Sequence, residues 1–486
     1  MSSDEVVIVG GGPNGLFAAA FLARAGVPVR VLEARETIGG GARTEEVTIA
    51  GFRHDICSAI HPMSLVSPAY RALDLEARGL EWVWSPIELA HPFDDGSAAV
   101  LLRSVDETAQ RMGQDRAAWL DLFAPWLPYA DELFADLLRP VRLPRQAGLM
   151  ARFGLLGLQS AERLVARFRD PKTRAIFAGS AVHPIVPVEA AGTASFGIVL
   201  TLTAHIGGWP FARGGSSAIV DALAGLIREN GGAIETSRPV ASMRDVGDAR
   251  ATLFDVTPRQ LLAIAGDRFR PSYNRRLARY RYSPGVFKID WALSGPVPWT
   301  APEARLAATV HLGPTWEDIA RCERDVAAGR IPDPPFVLFA QQSLFDPTRA
   351  PEGKQTGWAY CHVPHGSTVD MTAAIEAQVE RFAPGFRDLI LARSVRNAAD
   401  VEAHNPNMIG GDIGGGSNEI GQFLFRPFPR WNPYTTPDPN IYLCSASTPP
   451  GGGVHGMCGI GAAETFLARQ RGDVAGAALI GRALGR

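Results

Sequence analysis

Apolar runs and glycine turns alternate at the start of the chain. Val6 to Val9 is a β-branched run with no polar residue, the pattern of a strand buried on both faces. Gly10-Gly11-Gly12-Pro13-Asn14-Gly15 follows, then an alanine-rich stretch, Leu16 to Ala25, that reads as a helix ended by Gly26. A second apolar strand, Val29 to Leu32, stops at Glu33. The same grammar returns near the other end, where Ile441 to Cys444 precedes Gly451-Gly452-Gly453 and a helix from Gly456 to Arg469. In the middle, Gly214-Gly215 opens a helix over Ala218 to Glu229, followed by strands at Ala233 to Glu235 and Ala251 to Val256. The stretches between these pieces lack that grammar. The pattern predicts an α/β fold with one discontinuous domain, residues 1–70, 205–262 and 428–486, and an α+β domain inserted as residues 71–204 and 263–427.

A chain of 486 residues has room for two to four domains or two large ones. Its net charge of 48 − 50 = −2 gives no electrostatic footprint for nucleic acid. The five cysteines, Cys57, Cys322, Cys361, Cys444 and Cys458, show no paired spacing, so neither a zinc site, nor any other metal, nor a redox dithiol is expected. A reducing cytoplasm suits them. Met1 to Glu5 carries two acids and does not read as a signal peptide. Ala190 to Ala212 is free of charge for 23 residues, but its threonines, glycines and Pro210 make it a buried helix rather than a membrane span.

Gly10-x-Gly12-x-x-Gly15 has a mechanism. The first glycine permits the tight turn, the second lets backbone approach a pyrophosphate, and the third lets helix pack on strand. Glu33, 23 residues after Gly10 at the end of the second strand, is placed to accept hydrogen bonds from ribose hydroxyls. Strand, helix, second strand and acid together read as a Rossmann-like dinucleotide domain.

Arg35-Glu36-Thr37-Ile38-Gly39-Gly40-Gly41-Ala42-Arg43-Thr44 resembles the FAD-dependent family of phytoene dehydrogenases, flavin amine oxidases and protoporphyrinogen oxidase. So does Tyr442 to Met457, which is similar to the phytoene-dehydrogenase closing motif, and matches run from end to end. The nearest resemblance is to phytoene-dehydrogenase-like oxidoreductases, including an animal protein named for a pyridine-nucleotide-disulfide oxidoreductase domain. Neither a dithiol nor a second Gly-x-Gly-x-x-Gly supports that name here, and Val240 to Ala251 is shorter than the family's strand meander. The resemblance implies a glutathione-reductase-type cofactor domain holding FAD without a covalent bond. Implied contacts are Gly10, Gly12, Pro13, Asn14 and Gly15 at the first turn, and Glu33, Ala34 and Arg35 at the ribose. Gly40, Gly41, Ala42 and Arg43 would run along the cofactor, with Val240, Ser447, Gly453, Val454, His455 and Met457 completing the site. Ala446 stands where amine oxidases usually carry an acid, which favours the phytoene-like branch, whereas His455 stands where carotenoid enzymes often have proline.

Strand alternation in Gly285 to Leu293 puts Phe287, Ile289 and Trp291 on one face and Lys288, Asp290 and Ala292 on the other. The resemblance to amine oxidases implies that Lys288 reaches flavin N5 through a water; the competing reading is a Lys288–Asp290 surface pair on an edge strand. His61 and His455 are candidate acid/base groups alongside Lys288, and His404 is a candidate cavity loop residue. Leu133 to Phe168 mixes Leu, Phe and Met with arginines, as either a basic face docking on a membrane or a helical wall of the inserted domain. The expected reaction is hydride transfer between an apolar small molecule and flavin in a C–C desaturation, with oxygen or a quinone as electron acceptor. Amine oxidation and a non-catalytic binding protein like the Rab GDP-dissociation inhibitors are the alternatives, and a homo-oligomer is compatible with the sequence.

Overall fold

The computed structural model describes residues 4–472 and contains two principal sheets. The first has five parallel strands in the order Ile441–Leu443, Ala251–Phe254, Val6–Val9, Val29–Leu32, Ala233–Glu235. All three glycine-and-strand segments of the sequence therefore enter one sheet. Its centre is buried on both faces, as the unbroken apolar runs require: Val6 and Ile8 pack under the helices Pro13–Arg24, Ser217–Glu229 and Met457–Gln470. Val7 and Val9 pack on the other face against Leu261, Phe269 and Tyr273, from Pro258–Ala265 and the chain after it.

The helices begin where turn chemistry sets them. The first starts at Pro13, three residues before the expected Leu16, because proline at the first helical position lacks only an N–H that has no intrahelical acceptor there. It lies against the last helix at glycine-only distance: a Cβ on Gly459 would sit 2.0 Å from the Asn14 carbonyl oxygen.

The second sheet has seven strands, in the order Ile390–Arg396, Gly285–Leu293, Gln355–Val363, Val337–Ala340, Thr309–Leu312, Leu89–Pro92, Ala98–Leu101. Phe287, Ile289, Trp291 and Leu293 fill its outer core with Phe339, Trp299 and Phe386. The opposite face, carrying Lys288, Trp358, Tyr360 and Leu338, is roofed by helices that include Pro171–Ala181 and Thr193–Ile206. The apolar stretch Ala190 to Ala212 is thus mostly a buried helix. Among the described residues no helix is long and apolar enough to cross a membrane. Leu133 to Phe168 spans parts of three helices, Ala130–Leu137, Ala147–Gly157 and Ala161–Val165, and leaves Leu143 and Leu155 94% and 75% exposed.

Candidate active site

The first glycine turn is too tight for any other residue. Gly10 has φ +102°, and a Cβ on Gly15 would lie 2.2 Å from the Gly10 carbonyl oxygen. Two carboxyl groups grip this turn. Glu33 accepts from the N–H of Gly11 at 2.8 Å and of Arg35 at 2.9 Å. Asp255 accepts from the Gly15 N–H at 2.8 Å, and burial, with Glu33 close by, pushes its carboxyl up to about 7. The apolar pattern predicts a strand from Ala251 to Val256; the strand ends at Phe254 because Asp255 turns to the helix start. The signal was an acid directly after an apolar strand, where nothing in a plain strand needs one.

The second glycine segment folds onto the first. The Gly39 N–H donates to the Gly11 carbonyl at 2.7 Å, and Gly40, at φ +53°, has its Cβ direction 3.0 Å from Gly12 Cα. Ala42 is fully buried, whereas Ala34 is exposed and Val240 packs at the margin of the core beyond Leu32. Arg43 turns back toward the ribose end, donating to the Thr37 carbonyl at 2.6 Å with Glu33 at 3.4 Å. Arg35 reaches the carbonyls of Ala403 at 2.6 Å and His404 at 2.9 Å, capping the last turn of Ala398–His404.

The closing motif lies beside these turns. Ser447 donates to the Gly415 carbonyl at 2.7 Å, and the chain passes through Gly453, Val454 at φ +48° and Gly456 before Met457 opens the last helix. His455 serves this turn: its Nε2 bonds the Gly451 carbonyl at 3.0 Å and its Nδ1 accepts from the Met457 N–H at 3.1 Å. His61 similarly joins Ser216 at 3.0 Å and Ser58 at 3.4 Å. Burial lowers both imidazoles to about 4, so each is neutral at pH 7 with its nitrogens engaged, and these hydrogen bonds support a structural rather than an acid/base role.

Lys288 differs. It is 4% exposed, and its strand lies between Gln355–Val363 and Ile390–Arg396. The edge-strand surface pair is therefore corrected: the pair with Asp290 exists, but it is buried inside the sheet. Asp290 also faces His54 at 3.7 Å and Arg396 at 4.0 Å. Desolvation lowers the Lys288 pKa, partly offset by Asp290, and holds His54 near 4. Lys288, Arg396, His404 and Gly40 line one cleft, whose apolar walls are Ile56, Val286, Val401, Met408 and Ile413, with Cys57 beside them. Burial pushes the Cys57 thiol up to about 11, so it is a neutral wall. Arg396 and Cys57 carried no local sequence signal; Arg396 reaches the site only because its strand pairs with Lys288.

The donor set fits a dinucleotide. The helix start has no side-chain cap or acid of its own, the Asn14 side-chain oxygen is buried without a protein partner, and Glu33 Oε2, which accepts only from Gly11, keeps a lone pair for a hydroxyl.

Comparison with known proteins agrees. Residues 8–73 match the NAD(P)-binding Rossmann-like domain. The chain is 27% identical over 562 residues to the mouse pyridine nucleotide-disulfide oxidoreductase domain-containing protein 2, covering 95% of this chain and 93% of that protein. It is 26% identical over 422 residues to phytoene dehydrogenase of Streptomyces griseus, covering 81% and 78%. Cyclohexylamine oxidase of Brevibacterium oxydans IH-35A shares the fold, with a TM-score of 0.59 at 15% identity over 96% of this chain and 99% of that one. These similarities support an oxidoreductase of the superfamily that holds phytoene dehydrogenases and flavin amine oxidases.

Proposed function

We propose that the chain binds FAD without a covalent bond and moves a hydride between an apolar organic substrate and the flavin, as a carbon–carbon dehydrogenase. One observation carries this reading: Lys288, buried and paired, shares an apolar cleft with Gly40 of the cofactor loops. We further propose that residues 1–70, 205–262 and 428–486, of which 1–3 and 473–486 lie outside the described residues, form the cofactor domain and that the inserted segments hold the substrate.

When bound, FAD supplies a two-electron acceptor at flavin N5. The glycine turns and Glu33 hold the nucleotide end. Ile56, Val286 and Met408 exclude water from the cleft. Dehydrogenation of a C–C bond releases one hydrogen as hydride and the other as a proton. Lys288 receives that proton as the neutral amine that desolvation favours, and Asp290 pairs with the ammonium group so formed.

Amine oxidation is the weaker reading. Trp358 and Tyr360, the aromatic pair on the lysine face, meet at 86° with centroids 5.2 Å apart, and Trp358 is tied by its indole N–H to the Asp55 carbonyl at 2.8 Å. Two rings in edge contact leave no slot between parallel walls. A non-catalytic binding protein has no use for a buried lysine in this cleft.

The test sets polyenes, saturated ketones and lipids with quinone acceptors against a panel of amines with peroxide detection. Flavin reduction by a member of the first group supports the reading. Turnover of amines alone contradicts it.

A further inference from the structure

Arg396, Lys288, Tyr360, Leu338 and His311 are successive partners across five strands, so they lie in one row on the roofed face of the large sheet. His362 is the cross-strand partner of Val286, a wall of the lysine cleft. The row therefore runs from the cleft to a group of histidines. The rings of His183 and His311 are 5.5 Å apart, and Phe336 stands 5.5 Å from His311 and 6.5 Å from His362.

The hydrogen bonds of these rings set their tautomers. His362 Nδ1 donates to Glu323 at 2.6 Å, His91 Nε2 to the Gly313 carbonyl at 2.6 Å, and His183 Nδ1 to the Ser180 carbonyl at 3.1 Å. A carbonyl accepts only an N–H, and burial lowers His91 and His183 to about 4, so the other nitrogen of each of these two neutral rings is an acceptor. His362 Nε2, His91 Nδ1 and both nitrogens of fully buried His311 have no partner in the protein. A buried polar atom left unpaired is costly. Among the described residues no group of three or more such ligands is arranged to hold a metal ion.

We propose that this end of the sheet face is a subsite for a hydroxyl group of the substrate, which donates to an acceptor imidazole and accepts from His311. The proposal rests on the oxidoreductase reading and narrows its substrate class to apolar molecules bearing an alcohol. A ketone or ether supplies no donor and leaves the acceptors unpaired.

The test uses the full chain as purified and two probes of similar size, 1-nonanol and 1-methoxynonane, with binding followed by tryptophan fluorescence. The expected result is at least about tenfold tighter binding of the alcohol, the scale of one buried hydrogen bond. His311→Leu should bring the two probes within about twofold, and His311→Gln, which keeps a donor and an acceptor, should retain the preference. Equal wild-type affinities overturn the subsite, as does an unchanged preference in a folded His311→Leu protein. The wild-type comparison decides the matter even if the variant fails to fold. A chain that prefers the alcohol yet whose flavin no substrate reduces would defeat the redox reading and leave the subsite standing. Flavin reduction by hydrocarbons with no alcohol preference would do the reverse.

Discussion

Lys288 and Asp290 sit on one face of an interior strand and meet as an ion pair with side chains 4% and 1% exposed. Removing one partner of such a pair strands a buried charge, whereas removing both does not. Lys288→Met should therefore keep the cofactor but slow one half-reaction by about 10²–10⁴-fold, the usual cost of a lost proton-transfer group. It should also destabilise the fold by about 3–5 kcal/mol, and the double variant Lys288→Met, Asp290→Leu should recover much of that stability without recovering rate. Stopped-flow half-reactions and denaturant melts of both variants check this; wild-type rates for Lys288→Met refute the catalytic assignment.

Gly15→Ala places a methyl group 2.2 Å from a backbone oxygen that no rotamer change can move aside. The expected outcome is loss of cofactor with partial loss of stability. Flavin content per chain measures it, and a fully loaded Gly15→Ala protein would contradict the geometry of the turn.

Asp255 gives a pH signature. Its carboxyl, raised to about 7 in the fold, keeps its proton where the unfolded chain has lost it, so its contribution to stability is full below about pH 4 and declines as pH rises toward 7. The total is up to about 4 kcal/mol. Asp255→Asn keeps an acceptor for the Gly15 N–H and should remove that part of the pH slope. Urea melts of both proteins from pH 4 to 8 should diverge with rising pH, the variant becoming relatively more stable.

The buried histidines act with the opposite sign. His61, His91 and His455 are held near 4 by burial, against 6.5 for a free imidazole. Their contribution is intact above pH 6.5 and is lost as pH falls toward 4, since the unfolded chain takes up protons the fold refuses. His91→Gln should reduce the proton uptake on unfolding at pH 5 by about one, measured by calorimetry in buffers of different ionisation enthalpy. Unchanged uptake would show that His91 is already charged in the fold.

How far the sequence revealed this arrangement depends on the range of each signal. The parallel sheet was legible because apolar runs and glycine spacings are local and cover every strand that enters it. The faces of Gly285 to Leu293 were legible for the same reason. That this strand is interior was not, because its burial comes from pairing with residues about 70 and 100 positions away. Arg396 joins the site by the same kind of pairing. The role of Asp255 is invisible locally because its partner is 240 residues distant, and the motif marks His455 for chemistry while its two backbone partners show only in the fold.

The central claim is that this chain holds a flavin on its glycine turns. The visible absorption spectrum of the purified protein tests it most directly, followed by acid precipitation. The account predicts the two bands of oxidised flavin, near one flavin per chain, with the colour released to the supernatant as FAD because no covalent bond holds it. A colourless protein that takes up no FAD on titration, or colour that stays with the precipitate, would contradict it.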